Sequence, residues 1–435
     1  MKIILMFFST LICTILFCQK QNPNDLKEHC LEIHMSWLKQ DLNLTKNTAG
    51  YTAPVAARSL FYISVAMAES SHWICSEFNG YSGFLNGFVS PKLKLKNKTS
   101  FEHIANYVDY QIAKYFFSNT SLNGNEQIEN RYIDEKNKYK KKYSRKTLKN
   151  SEKIALTIAK CIIDWSKLDG GDNCWIKNFP EEYTVNYCDS CWIKTFPGFV
   201  SALQPYWGSN RLSILNNREI CDGIPYTPFT SDPESTFYKE ASLMNEACEK
   251  FKDSDINTAK YWNDAPGVSG TPAGHIYSIA LNLCERNNKD LKTCLQLFTK
   301  LGLALNDAVI ECWRLKYKYN LIRPITYIQR YISKNFTTAI ITPPFPEFPS
   351  GHSFQAGAGT EVLKHYFSDT MEFIDFTNES RVDISGRARK YKSFSQMAEE
   401  MSISRYYGGI HYLETLRTSL DFGRKIGINS ISHTP

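Results

Sequence analysis

Apolar residues recur at three- and four-residue spacing in five stretches of the chain: 53–70 (APVAARSLFYISVAMAES), 151–166, 278–320, 353–367 and 394–407. That period marks one face of a helix, so each stretch is predicted to be helical. Alternating strand patterns are few and short. Proline and glycine clusters over 197–233 and 265–273 read as long loops or crossovers between helices. With no repeat period and no separating linker, the pattern implies one all-α domain of bundled helices.

The ends and the cysteines add a compartment. Residues 3–18, IILMFFSTLICTILFC, follow Lys2 and are too short for a comfortable membrane span but suit the apolar core of a signal peptide. Residues 1–18 are therefore expected to be a signal peptide and 19–435 a single exported domain. Lipid anchoring at Cys18 is the rival reading, disfavoured by the bulky Phe17. No later stretch has the ~18 uninterrupted apolar residues of a spanning helix. Eleven of the thirteen cysteines lie beyond Cys18, which predicts several disulfides plus a free thiol, with a local bridge among Cys174, Cys188 and Cys191. A zinc site at Cys188 and Cys191 competes, but no second Cys-x-x-Cys or histidine pair accompanies them. Glycosylation sequons stand at Asn43, Asn97, Asn119, Asn335 and Asn378.

The net charge of +7 is concentrated in KNKYKKKYSRKTLK, residues 136–149, which holds eight Lys or Arg. No nucleic-acid fold signature surrounds it, so it reads as a solvated face and no nucleic-acid partner is expected.

Three basic stretches carry the candidate chemistry. In CWRLKYKYNLIRPITY, Lys316 and Arg323 are seven residues apart, which would put both on one helix face before Pro324 stops the helix. In PPFPEFPSGHSFQAGAG, four prolines hold residues 343–349 extended, and Ser350 is a natural N-cap that aims the Gly351 amide outward, where anions bind. In SISRYYGGIHYLE, Gly408 and Gly409 mark a break that would let Arg405 and His411 reach one point from different directions. Each has a plain structural explanation singly: surface decoration, a core histidine, an ion pair. Together they make a cradle for a tetrahedral oxyanion, with one histidine bonding the central atom and the other, His352, handling a proton.

Lys-x6-Arg-Pro, Pro-Ser-Gly-His and Ser-Arg-x3-Gly-x-His, in this order, resemble the three-part signature of the type 2 phosphatidic acid phosphatase and vanadium-dependent haloperoxidase superfamily. Residues 53–70, 203–211, 259–275 and 303–326 look like its soluble haloperoxidase-like branch, so about residues 50–430 are expected inside it. The resemblance implies a helical fold of two four-helix bundles with long loops.

It further implies that Lys316, Arg323 and Arg405 neutralise the oxygens of vanadate or phosphate, assisted by Ser350 and the Gly351 amide. His411 would be the ligand to vanadium or the nucleophile toward phosphorus, and His352 the acid–base group. Trp313 and Phe345 match aromatic positions lining the halide site, or are plain core aromatics. Asp264 looks like a supporting carboxylate that could hold Arg405, or a helix cap; His275 reads as a structural histidine. One departure stands out: many members carry aspartate four residues after the last histidine, where this chain has Thr415, and the adjacent Glu414 should point elsewhere. The expected activity is halide oxidation by hydrogen peroxide at a histidine-bound vanadate. The rivals are an acid phosphatase forming a phosphohistidine on phosphate esters without a metal, and a non-catalytic secreted anion-binding protein.

Overall fold

The computed structural model describes residues 23–75, 80–93 and 99–433. The signal-peptide expectation, Cys18 and Asn97 lie outside them. Among the described residues fourteen α-helices follow one another: α1 (Pro23–Asn47), α2 (Ala53–Ser71), α3 (Phe101–Phe116), α4 (Leu122–Tyr139), α5 (Arg145–Lys167), α6 (Asn217–Asp222), α7 (Thr236–Cys248), α8 (Asp253–Tyr261), α9 (Thr271–Arg286), α10 (Leu291–Tyr319), α11 (Pro324–Tyr331), α12 (Gly351–Phe367), α13 (Phe394–Tyr407) and α14 (Leu413–Ser432). A single antiparallel strand pair, β1 (Phe373–Asp375) and β2 (Arg389–Tyr391), is the one sheet among the described residues. Helices α1, α2, α3 and α5 pack as one bundle and α10, α12, α13 and α14 as a second, joined where α10 crosses α2. The helical expectation holds, and α1 extends the domain upstream of residue 50.

The five predicted stretches correspond to six helices: α2, α5, α9 with α10, α12 and α13. Helices α1, α3, α4 and α14 lie outside those stretches; in α1 and α3 the buried faces are interrupted by polar residues such as His34, His103 and Asn106, which find partners inside the fold. The basic run 136–149 bridges the end of α4 and the start of α5, and there Lys136, Lys138 and Lys142 pair with Glu152, Glu135 and Glu102. Among the described residues no helix is long and apolar enough to cross a membrane.

The cysteine expectation needs correction. Cys188 and Cys191 form a disulfide, which leaves neither as a zinc thiolate, but the other nine cysteines beyond Cys18 are free. Seven of them are buried and act as small apolar core residues. Asn378 is also no glycosylation acceptor, being 1% exposed with its amide donating to the Tyr261 carbonyl.

Two local devices position the site. Helix α10 ends at Asn320, which takes the left-handed conformation (φ 47°) that asparagine tolerates. Lys316 and Arg323 therefore do not share a helix face, as their spacing suggested; Arg323 is the extended N-cap of α11, and Pro324 begins that helix at its first position rather than ending the previous one. The segment between is clamped on two sides: Ile322 N–H donates to Ser190 O at 2.8 Å, and Glu347 N–H to Leu321 O at 2.9 Å. The disulfide turn thus backs the extended segment that delivers Arg323.

The second device is the crossing of α12 and α14. A Cβ at Gly357 would lie 2.3 Å from Leu420 O, and one at Gly423 2.2 Å from Phe354 O. Only glycine lets these backbones touch.

Candidate active site

A cavity of about 670 Å³ opens where the C-terminal bundle meets the 339–345 and 263–268 loops. Gly351, His352, Arg405 and His411 line it together with Trp313, Phe345 and Asp264. Leu203, Val268, Ile340, Ile341, Pro343 and Pro344 form an apolar flank leading outward, with Lys260 and Arg381 on the lining. Lys316, Arg323 and Ser350 stand behind this wall, each 0% exposed.

His411 follows Gly409, whose φ of +75° breaks the chain between α13 and α14. Arg405 in the last turn of α13 and His411 in the turn consequently reach one cavity, as the sequence led us to expect. The imidazole is held on both sides. Nδ1 meets Glu347 Oε1 at 2.9 Å, and Nε2 meets Arg323 Nη1 at 3.3 Å. Burial, with Arg323, Lys316 and Arg405 nearby, pushes its pKa well below the usual histidine range, so it is neutral.

Arg323 also donates through Nε to Phe345 O at 2.8 Å and through Nη1 to Ile410 O at 3.0 Å, while its Nη2 is buried without a partner. Arg405 donates to Ser404 Oγ at 3.0 Å and to Ala259 O at 2.9 Å. Burial lowers both guanidinium groups to about 10. Neither arginine, nor Lys316, makes an ion pair among the described residues.

Lys316 differs from expectation. Its ammonium donates to the carbonyls of Pro346 (2.9 Å), Glu347 (3.1 Å) and Pro349, so all three protons are committed to the loop that precedes His352. Burial lowers its pKa, yet a neutral amine has only two N–H bonds and would leave one of three carbonyls unserved. Its charge still lies 4.9 Å from the Phe345 ring centre, with the Arg323 guanidinium 5.0 Å from the same ring.

Ser350 caps α12, accepting from Ser353 N–H at 3.3 Å. His352, in the first turn, is lowered to about 3 by burial and by Arg405; it is held by the Trp262 backbone, and Nε2 is buried with no partner. Trp313 packs against Phe345 at 5.1 Å between ring centres, but its indole N–H is taken by Leu203 O at 3.2 Å and is not offered to the cavity.

Asp264 corrects a further expectation: it does not hydrogen-bond Arg405. Its Oδ1 accepts from Ser269 at 2.7 Å and from His275 Nδ1 at 2.8 Å, and its Oδ2 has no partner. His275 bonds Asp375 with its other nitrogen at 2.7 Å and stacks on Trp262, so the histidine read as structural lies in a buried chain ending at the cavity.

Two residues escaped sequence reading. Gln355, one turn beyond His352, lines the cavity with a buried Oε1 that has no partner. Glu347 is 0% exposed and accepts from Thr415 Oγ1 at 3.0 Å as well as from His411. Its signal was available: it is the one charged residue between Pro343 and His352.

The family description "VCPO second helical-bundle domain" matches residues 296–339 and 333–434. Among solved structures, the chain is similar to the first bacterial vanadium-dependent iodoperoxidase, with 27% identity over 93% of this chain and 97% of that one and a TM-score of 0.82. It shares the fold of a bacterial vanadium-dependent chloroperoxidase, whose holo form aligns at 15% identity over 87% and 90% of the two chains (TM-score 0.63), and whose apo form aligns at 14% over 89% and 94% (TM-score 0.63). No curated protein matches it in sequence. The matched segment contains Lys316, Arg323, Ser350, Arg405 and both cavity histidines, and with the shared architecture it supports the resemblance to the vanadium haloperoxidase superfamily of enzymes.

Proposed function

We propose that this chain is an exported vanadium-dependent haloperoxidase that oxidises halide with hydrogen peroxide. The observation that carries the reading is the set of buried cations that no carboxylate hydrogen-bonds, Arg323, Arg405 and Lys316, on which Glu347 and Asp264 act only across space, with Arg323 Nη2 left over. Buried unpaired charge is costly, and a tetrahedral oxyanion offset by these donors relieves it. The donor set fits vanadate: His411 Nε2 is an unprotonated imidazole nitrogen, the arginines are charge-assisted donors, and the Gly351 amide opens a helix. When bound, vanadate supplies the electrophilic centre at which peroxide is activated toward halide.

The protein's own part is binding and proton handling. His352 is neutral with Nε2 free, and an anion that offsets the Arg405 charge would raise its basicity, so that it can take a proton from incoming peroxide. Lys316 fixes the 346–349 loop and lends charge beside Phe345. The likeness to an iodoperoxidase supports peroxide chemistry over phosphate ester hydrolysis at the same residues.

The test is a paired assay on the purified protein. One arm supplies vanadate, hydrogen peroxide and chloride, bromide or iodide and follows halogenation of a reporter. The other omits vanadate and follows hydrolysis of an aryl phosphate. Vanadate-dependent halogenation is expected; phosphate release that vanadate inhibits, without halogenation, would replace this reading with a phosphatase.

A further inference from the structure

We propose that Glu347 is the positioning residue of His411, fixing its tautomer so that Nε2 is the nitrogen left to meet the oxyanion, and that Thr415 in turn holds Glu347. The inference rests on the proposed reading only for the identity of the anion.

Two independent contacts determine the tautomer. Arginine has donors and no acceptor, so the 3.3 Å contact from Arg323 Nη1 requires a lone pair on His411 Nε2. A neutral imidazole then carries its proton on Nδ1, which lies 2.9 Å from Glu347 Oε1. The Tyr412 backbone N–H, which can only donate, reaches the same oxygen at 3.3 Å, so Oε1 is an acceptor on separate grounds. Oε2 takes the Thr415 hydroxyl at 3.0 Å.

The carboxylate is also anchored through its backbone. Glu347 N–H donates to Leu321 O, and its carbonyl accepts from Lys316 Nζ at 3.1 Å. The loop that orients His411 is therefore the loop that delivers Ser350 and His352. Glu414, beside Thr415 in sequence, cannot substitute, because it bonds Arg417 and Thr418 on the outer face of α14. Thr415 is close enough to Glu347 that a carboxylate placed at 415 would approach the position of Oε2.

The experiment uses three variants: Glu347→Gln, Glu347→Leu, and Glu347→Ala combined with Thr415→Asp. Imidazole ¹⁵N–¹H spectra of the vanadate-free protein read the His411 tautomer, and equilibrium binding of orthovanadate reads the consequence. Wild type and Glu347→Gln should show Nδ1–H. Glu347→Leu should lose that single tautomer and bind orthovanadate about 10- to 100-fold more weakly, as expected when a group that orients a ligand is removed. The double variant should recover at least about tenfold of that loss. A merely structural role would lower the unfolding midpoint and leave the tautomer alone. Glu347→Leu with wild-type tautomer and vanadate affinity overturns the proposal; so does a folded double variant that still lacks the Nδ1–H tautomer. If wild type binds no orthovanadate, the proposed function fails while the spectra still decide the role of Glu347.

Discussion

Arg323 Nη1 donates to His411 Nε2 across 3.3 Å, so the guanidinium takes up the lone pair through which the histidine would contact an oxyanion. An entering anion must exchange this neutral-acceptor contact for its own charge, and the buried Nη2 of the same arginine gives it a second donor without reorganisation.

It follows that Arg323→Ala should weaken both orthovanadate and inorganic phosphate by roughly 10- to 100-fold, the equivalent of a charge-assisted hydrogen bond of ~1.5–3 kcal/mol. Arg323→Lys should not rescue, because a lysine cannot reach Phe345 O, Ile410 O and the anion at once. Equilibrium binding of the two anions checks this, and near-native affinity in either variant would remove Arg323 from the cradle.

Lys316 makes a different prediction. Because its three protons serve loop carbonyls, Lys316→Met should act on stability as well as activity. It strands three buried acceptors, each worth ~1–3 kcal/mol when left unsatisfied. A fall of at least ~3 kcal/mol in unfolding free energy is expected in urea titrations, alongside lost anion binding. Unchanged stability would mean that the ammonium leaves the loop easily and serves the anion directly.

The oxyanion cradle was legible in the chain because its parts are short, chemically marked and punctuated by proline and glycine. Ser350 as cap and the Gly408–Gly409 break both follow from local rules. What local rules could not reach were contacts across the fold. Nothing in the spacing of Lys316 and Arg323 shows that Asn320 turns left-handed between them. The partner of His411 lies 64 residues away. The family resemblance assigns Asp264 to Arg405 or to a helix cap; in space, the doubly hydrogen-bonded His275 takes it instead. Helices such as α1 and α3 were hidden for a related reason, since buried polar residues satisfied by distant partners blur the apolar period.

The α12–α14 crossing should be felt at the site. Helix α12 carries His352 at its start, and α14 begins just after His411. Gly423→Ala places a methyl 2.2 Å from Phe354 O, so the helices must separate at an overpacking cost of ~1–3 kcal/mol. Both the unfolding midpoint and orthovanadate affinity should fall. Gly223→Ala, with open space around the added carbon, should leave stability within about 0.5 kcal/mol. Equal effects of the two substitutions would discard the close approach as the cause.

The pairing of His275 makes stability fall as pH rises above the ordinary histidine range. Burial alone would lower its pKa, but Asp264 at 2.8 Å and Asp375 at 2.7 Å raise it to about 10. An unfolded histidine titrates near ~6.5. Below that value both states are protonated and the pairing contributes in full. Between about 6.5 and 10 the unfolded chain loses a proton that the folded chain keeps, so this group makes stability fall by up to ~1.4 kcal/mol per pH unit. Above that window the contribution is gone. Asp375→Asn removes one of the two carboxylates, so the stability difference between wild type and variant should be largest near pH 6 and shrink toward pH 10. Urea unfolding at unit steps across that range measures it. A difference that stays constant would show that His275 is neutral when folded, and Asp264, whose Oδ2 has no partner at the cavity, would then face Arg405 without a competing cation.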